Sequence, residues 1–147
     1  MKGSIYMSKI AVVYWSGTGN TEAMANAVLE GIRSAGAEGE IYSVAEFDSS
    51  MLSSFDSVAF GCPAMGGEQL EDFEFEPMFE SCKESLAGKK VALFGSYGWG
   101  DGQWMRDWEE NCRHSGAVLS AKSVICSGYP EADSIENCKI LGRSLIN

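Results

Sequence analysis

Short runs with no polar residue recur along this chain, and they constrain its fold more than any other feature. Ile10-Ala11-Val12-Val13-Tyr14-Trp15, Val58-Ala59-Phe60, Val91-Ala92-Leu93-Phe94 and Val118-Leu119 with Val124-Ile125 are such runs, rich in β-forming residues. A strand apolar at every position must be covered on both faces, as in a parallel sheet packed between helices. Glu40-Ile41-Tyr42-Ser43-Val44 alternates polar and apolar residues instead, which suits an edge strand. Between the runs lie helical patterns. Met24, Val28, Leu29 and Ile32 share one face of a helix that opens near Asn20 and stops around Gly36. A shorter helix is expected after Asp48, a natural N-cap, and others over Pro77–Leu86, Gln103–His114 and Ile135–Ile146. Five strands alternating with helices make an α/β fold, a three-layer α/β/α sandwich on a five-stranded parallel sheet. Ligands of such folds bind at loops leaving the carboxyl ends of the strands.

At 147 residues the chain has the length of one domain. Residues 9–147 are read as that domain, and residues 1–8 as an N-terminal extension with Met7 as an alternative start. The net charge of −10 repels nucleic acid backbones and anionic membranes, and favours basic protein partners. No run approaches the ~18 apolar residues of a membrane span. The five cysteines are odd in number and form no C-x-x-C pair, and His114 is the only histidine. Buried, reduced thiols in a cytoplasmic protein are expected, rather than a zinc site or a disulfide framework.

Three strand-exit loops carry the unusual residues. The first is Ser16-Gly17-Thr18-Gly19-Asn20-Thr21, running from a strand directly into a helix. Glycines let backbone N–H groups converge, the helix N-terminus adds unpaired donors, and Ser16, Thr18, Asn20 and Thr21 add side-chain donors. This describes an anion site suited to a phosphate monoester. A nucleoside-triphosphatase loop would need a lysine before Thr21, and Glu22 stands where a dinucleotide fingerprint wants its third glycine. The loop has no cysteine, and Glu68 lies where a Cys-x5-Arg phosphatase motif from Cys62 would need arginine. Gly61-Cys62-Pro63 lacks the phospho-accepting aspartate of a receiver domain.

The second loop is Cys62-Pro63-Ala64-Met65-Gly66-Gly67-Glu68. Met65 suits contact with an aromatic ring, Glu68 can accept from a ring N–H, and Gly66-Gly67 are expected at the centre of a tight turn. With glycine at both places, the Gly66 carbonyl can turn either way at little steric cost. The third loop is Gly95-Ser96-Tyr97-Gly98-Trp99-Gly100-Asp101-Gly102, where Trp99 stands between glycines, outside any periodic apolar face, placed to stack on something flat. Trp104, Met105 and Trp108 have helical spacing and are expected in the core. Together the loops describe a slot for a planar heteroaromatic with a monophosphate tail, which flavin mononucleotide (FMN) fits better than a dinucleotide.

These residues carry a resemblance. From Lys9 onward the chain resembles the short-chain flavodoxins, most nearly the clostridial type, through Tyr14 to Thr21, Ala64-Met65-Gly66, Glu74-Phe75-Glu76-Pro77 and Gly95 to Gly102. The resemblance implies the strand order 2-1-3-4-5. It implies that Ser16, Gly17, Thr18, Gly19, Asn20 and Thr21 hold the FMN phosphate, that Met65 and Trp99 cover the two faces of the flavin, and that Glu68 binds the ring N3–H. Gly66 would present its carbonyl to N5. Pro63, Ala64, Gly67, Ser96, Tyr97, Gly98 and Gly100 would line the site. Gly67 stands where the clostridial pattern has Asp, and Pro63 where it has a hydroxyl residue.

The implied function is that of a low-potential one-electron carrier cycling mainly between semiquinone and hydroquinone, and not of an enzyme. An uncharged cradle leaves the phosphate charge in place. A unit charge ~10 Å from a reduced, anionic ring costs ~1.7 kcal/mol at an effective ε of ~20, or ~70 mV for one electron. Its partners would be redox proteins with basic docking surfaces, meeting a rim of Glu68, Glu71, Asp72, Glu74, Glu76 and Glu80, and the carrier itself is expected as a monomer. The alternative for the acidic run is a solvated helix entry. Two other classes compete: a small NAD(P)H-dependent quinone reductase, for which no second nucleotide site or acid–base pair is visible, and a cofactor-free binding module.

Overall fold

The computed structural model describes residues 7–146. Along the chain run β1 (Lys9–Tyr14), α1 (Asn20–Ser34), β2 (Glu38–Ser43), β3 (Ser57–Gly61), α2 (Phe75–Cys82), β4 (Lys90–Tyr97), α3 (Gln103–His114), β5 (Val118–Leu119), β6 (Val124–Ser127) and α4 (Ala132–Arg143). The strands are parallel, in the order β2-β1-β3-β4-β5, with β6 also on β4. This is the doubly wound α/β sandwich in the order that the resemblance implies, with β2 on an edge as its alternating pattern requires. Of the segment read as an extension, residues 1–8, the first six lie outside the described residues. Ser8 is buried, and its carbonyl accepts from the amide of Glu38 (2.8 Å).

The fifth strand position is filled by two pieces. β5 pairs with Lys90 and Val91, and β6 with Phe94 to Tyr97. Between them the chain leaves the sheet, where the Ser120 hydroxyl meets that of Ser144 (2.7 Å) and the Ser123 hydroxyl donates to Glu109 (2.6 Å). This position is an edge, so Val118 and Ile125 are exposed there and not covered on both faces as the apolar run suggested.

Alternation along the central strands divides the core into two layers. Ala11 and Val13 face a layer containing Phe60, Phe75, Phe79, Trp104 and Trp108, whereas Ile10 and Val12 face Met24, Val28, Ile32 and Leu141. The first layer is locked by aromatic edges: Phe60 on Phe79 (5.2 Å, 87°) and Phe75 on Trp108 (5.4 Å, 86°). Such pairs contribute roughly 0.5–1.5 kcal/mol each beyond burial. In the second layer α1 and α4 cross so closely that a Cβ on Gly31 would stand 2.1 Å from the Lys139 carbonyl oxygen, and one on Gly142 would stand 2.2 Å from that of Val28.

The helices differ from expectation at three places. The segment after Asp48 is a 3-10 helix, Ser49–Ser54, with Asp48 accepting from the Ser50 amide (2.8 Å). α4 begins at Ala132, just beyond Pro130, earlier than the apolar spacing alone suggests. α2 begins at Phe75 and not at Pro77, because Glu71 satisfies its first two amides, Phe75 through the carboxylate and Glu76 through the carbonyl.

Candidate functional site

The loops after β1, β3 and β4 meet at the carboxyl end of the sheet. β1 feeds the first loop through Trp15, whose amide donates to the Gly61 carbonyl (3.0 Å). Gly19 holds φ +96° at the entry to α1, a left-handed conformation that favours glycine. The Ser16 hydroxyl oxygen accepts from the amides of Gly19 (3.1 Å) and Glu22 (3.2 Å). Among the described residues the amides of Gly17, Thr18, Asn20 and Thr21 have no hydrogen-bond partner. Ion pairs among the described residues join Lys83 to Glu80, Arg106 to Asp101, Lys139 to Glu30 and Arg143 to Glu136, and none reaches this loop. Free amides at a helix N-terminus without a cation are a cradle for an anion. Thr21 is turned inward: its buried hydroxyl meets that of Ser96 on β4 (3.0 Å) and so ties the cradle to the sheet.

The second loop is anchored before it turns. Cys62 and Ala64 donate through their amides to the carbonyls of Phe94 (3.1 Å) and Ser96 (3.0 Å), carrying Pro63 with them. Met65 and Gln69 then exchange two backbone bonds (2.8 and 3.0 Å), enclosing Gly66-Gly67-Glu68. The turn therefore has three residues between its paired ends and is not centred on the glycine pair. Positive φ falls at Gly66 (+45°) and Glu68 (+58°), not at Gly67. Glu68 is the only non-glycine with positive φ among the described residues, a strain of the kind that gathers at functional sites. The space around Gly67 is open, with no atom within 4 Å of an added Cβ.

The third loop supplies the opposite wall. Tyr97 is half-buried against Trp104 (5.6 Å between rings) and belongs to the core layer as much as to the slot. Gly98 has open space, and Trp99 is 68% exposed at the surface. Gly100 packs against Glu68, and Oε1 of that carboxylate is buried with no hydrogen-bond partner. A buried acceptor left without a donor costs about 1–3 kcal/mol, so it calls for a ligand N–H. Trp104, Met105 and Trp108 are core residues, as their spacing implied.

Two interactions escaped sequence reasoning. Glu71, read there as part of an acidic rim, is buried. Its carboxylate accepts from the amides of Phe73 (3.0 Å), Glu74 (2.8 Å) and Phe75 (2.8 Å). Its own amide donates to Cys62 Sγ (3.4 Å), and its carbonyl accepts from Glu76 (2.9 Å). Desolvation pushes its pKa up, but the bonds from Phe75, Glu74 and Phe73 outweigh that and hold it below the ordinary value. The second is a tie between loops: Trp15 Nε1 donates to Glu74 Oε1 (3.0 Å). Neither is visible as a pattern, because both depend on which carboxylate the fold turns inward.

The five cysteines are buried and unpaired, and no metal-binding cluster occurs among the described residues. No helix among them is long and apolar enough to cross a membrane.

A doubly wound sheet with a neutral anion cradle, a methionine and a tryptophan at the surface, and an inward carboxylate lacking its donor defines a protein built to hold a flat cofactor with a phosphate tail. The flavodoxin family model matches residues 12–139. The flavodoxin of Clostridium beijerinckii is 43% identical over 136 residues, covering 92% of this chain and 98% of that protein. The flavodoxin of Megasphaera elsdenii is 43% identical over 135 residues, covering 92% and 96%. A solution structure of two-electron reduced M. elsdenii flavodoxin superposes with a TM-score of 0.85 at 43% identity, over 92% of this chain and 97% of that one. The chain belongs to the flavodoxin family. Its cofactor is FMN, and it is an electron carrier working with other redox proteins, not an enzyme.

Proposed function

We propose that the cradle Ser16–Thr21 holds the FMN phosphate, that Met65 and Trp99 flank the ring and Glu68 accepts its N3–H, with Gly66 beside N5. Pro63, Ala64, Gly67, Ser96, Tyr97, Gly98 and Gly100 complete the lining. The bound flavin supplies one-electron chemistry. The protein separates its two reduction steps and works mainly across the lower one, shuttling electrons as a cytoplasmic monomer between reductases and low-potential acceptors with basic docking surfaces.

The carrying observation is Glu68, whose buried Oε1 lacks a donor while its backbone is held at φ +58° in the turn that also contains Gly66. A neutral cradle adds to this by leaving the phosphate charge uncompensated near a ring that becomes anionic on full reduction. Acidic neighbours Asp72, Glu74 and Glu76 are exposed and work in the same direction, screened by salt. They also repel acidic partners and steer basic ones.

Stepwise anaerobic reduction of the FMN-loaded protein, followed by visible spectroscopy, tests this. Two resolved one-electron steps are expected. A single two-electron step, or steady turnover of NADPH with a quinone in the absence of a reductase, would contradict it.

A further inference from the structure

Phe73 is 85% exposed, more than any other large apolar side chain among the described residues. A lone exposed apolar residue is ordinary. Three features set this one apart. Its backbone is fixed: the Phe73 amide is held by the Glu71 carboxylate within a knot that also engages Glu74 and Phe75 and is tied to Cys62 at the end of β3. Exposed carboxylates flank it along the chain, Asp72 and Glu74 as its immediate neighbours and Glu76 beyond. It also stands at the site end of the sheet, since its neighbour Glu74 bonds Trp15 at the mouth of the anion cradle. Trp99 and Met65 are exposed at that same end, as residues of the other two loops.

An aromatic with a fixed base and a charged surround has the make-up of an interface anchor. Protein–protein hot spots are enriched in rigid aromatics seated in apolar pockets, with charged residues at the rim setting approach and orientation. We propose that Phe73 is the apolar anchor of the docking surface, inserting into an apolar recess on a basic redox protein whose lysines face Asp72, Glu74 and Glu76. This rests on the electron-carrier reading and adds to it a specific contact. The net charge of −10 fixes the sign of the partner, and the exposed ring fixes the chemistry at the centre of the contact. Charge then governs how fast the two proteins meet, and the ring governs how long they stay together.

The probe is a c-type cytochrome with an apolar haem edge ringed by lysines. Its reduction by the fully reduced, FMN-loaded protein is followed by stopped flow across a range of ionic strength. Phe73→Ser should weaken the complex roughly tenfold with an unchanged salt slope. Asp72→Asn with Glu76→Gln should flatten the slope. FMN affinity and both potentials of Phe73→Ser should equal those of the parent, since the side chain lies almost wholly in solvent. Wild-type affinity in Phe73→Ser would overturn the anchor while leaving the carrier reading intact. A parent protein that passes no electrons to the cytochrome at any ionic strength would overturn both.

Discussion

The Glu68 carboxylate lies directly against Gly100: a Cβ added to Gly100 would stand 2.4 Å from Oε1 and 2.6 Å from Cδ. Gly100 also holds φ +94°, where a side chain is strained. The third loop therefore sets where the carboxylate of the second loop points. Gly100→Ala should displace Glu68 and lower FMN affinity about tenfold, equivalent to ~1.4 kcal/mol. Gly98→Ala, with open space around it, should bind nearly as well as the parent. Quenching of flavin fluorescence on titrating the apoprotein reads both.

Glu71 is a buried cap, and its removal should show in stability. Glu71→Gln leaves an amide group facing backbone donors, and should cost about 1–3 kcal/mol at neutral pH. The folded pKa lies below the ordinary value of 4.5. Its contribution is therefore complete above that value and is lost as pH falls through the lower, folded pKa. Urea unfolding at neutral pH and again in acid should show the gap between parent and variant closing as the pH drops.

Gly142 serves packing alone. Because its added Cβ would collide with the Val28 carbonyl, Gly142→Ala should force α1 and α4 apart and destabilise the fold by roughly 1–3 kcal/mol in denaturant titration. FMN affinity, proposed to be set at the carboxyl end of the sheet, should stay at the parental value.

The thiols should be silent in the native protein. Burial pushes Cys82 up to about 11, and Cys112 and Cys138 up to about 12, and it also raises Cys62 and Cys126. Reaction with a chromogenic disulfide at mildly alkaline pH should be negligible until denaturant is added. Five thiols should then titrate per chain.

Elements governed by local periodicity were legible in the sequence. The apolar runs of β1, β3 and β4 mark strands buried on both faces, and the spacing of Trp104, Met105 and Trp108 marks the buried face of α3. What escaped depends on contacts between distant residues. α2 starts two residues before Pro77 because Glu71 satisfies the amides of Phe75 and Glu76, and Pro77 has none to satisfy. Glu71 and Glu76 look alike in the sequence, yet one is a buried cap and the other a surface charge. The break between β5 and β6 depends likewise on two serines finding Glu109 and Ser144. In the turn between Met65 and Gln69, the residue types were legible but not their conformations: left-handed φ falls on Gly66 and Glu68, whereas Gly67 needs no glycine.

Hydroxyls and backbone amides are proposed to hold the phosphate without a cation. Calorimetric titration of the apoprotein with FMN and with riboflavin measures that contribution directly. Loss of two charge-assisted hydrogen bonds, at about 1.5 kcal/mol each, predicts riboflavin binding roughly a hundredfold weaker than FMN. Equal affinities for the two ligands would contradict the account.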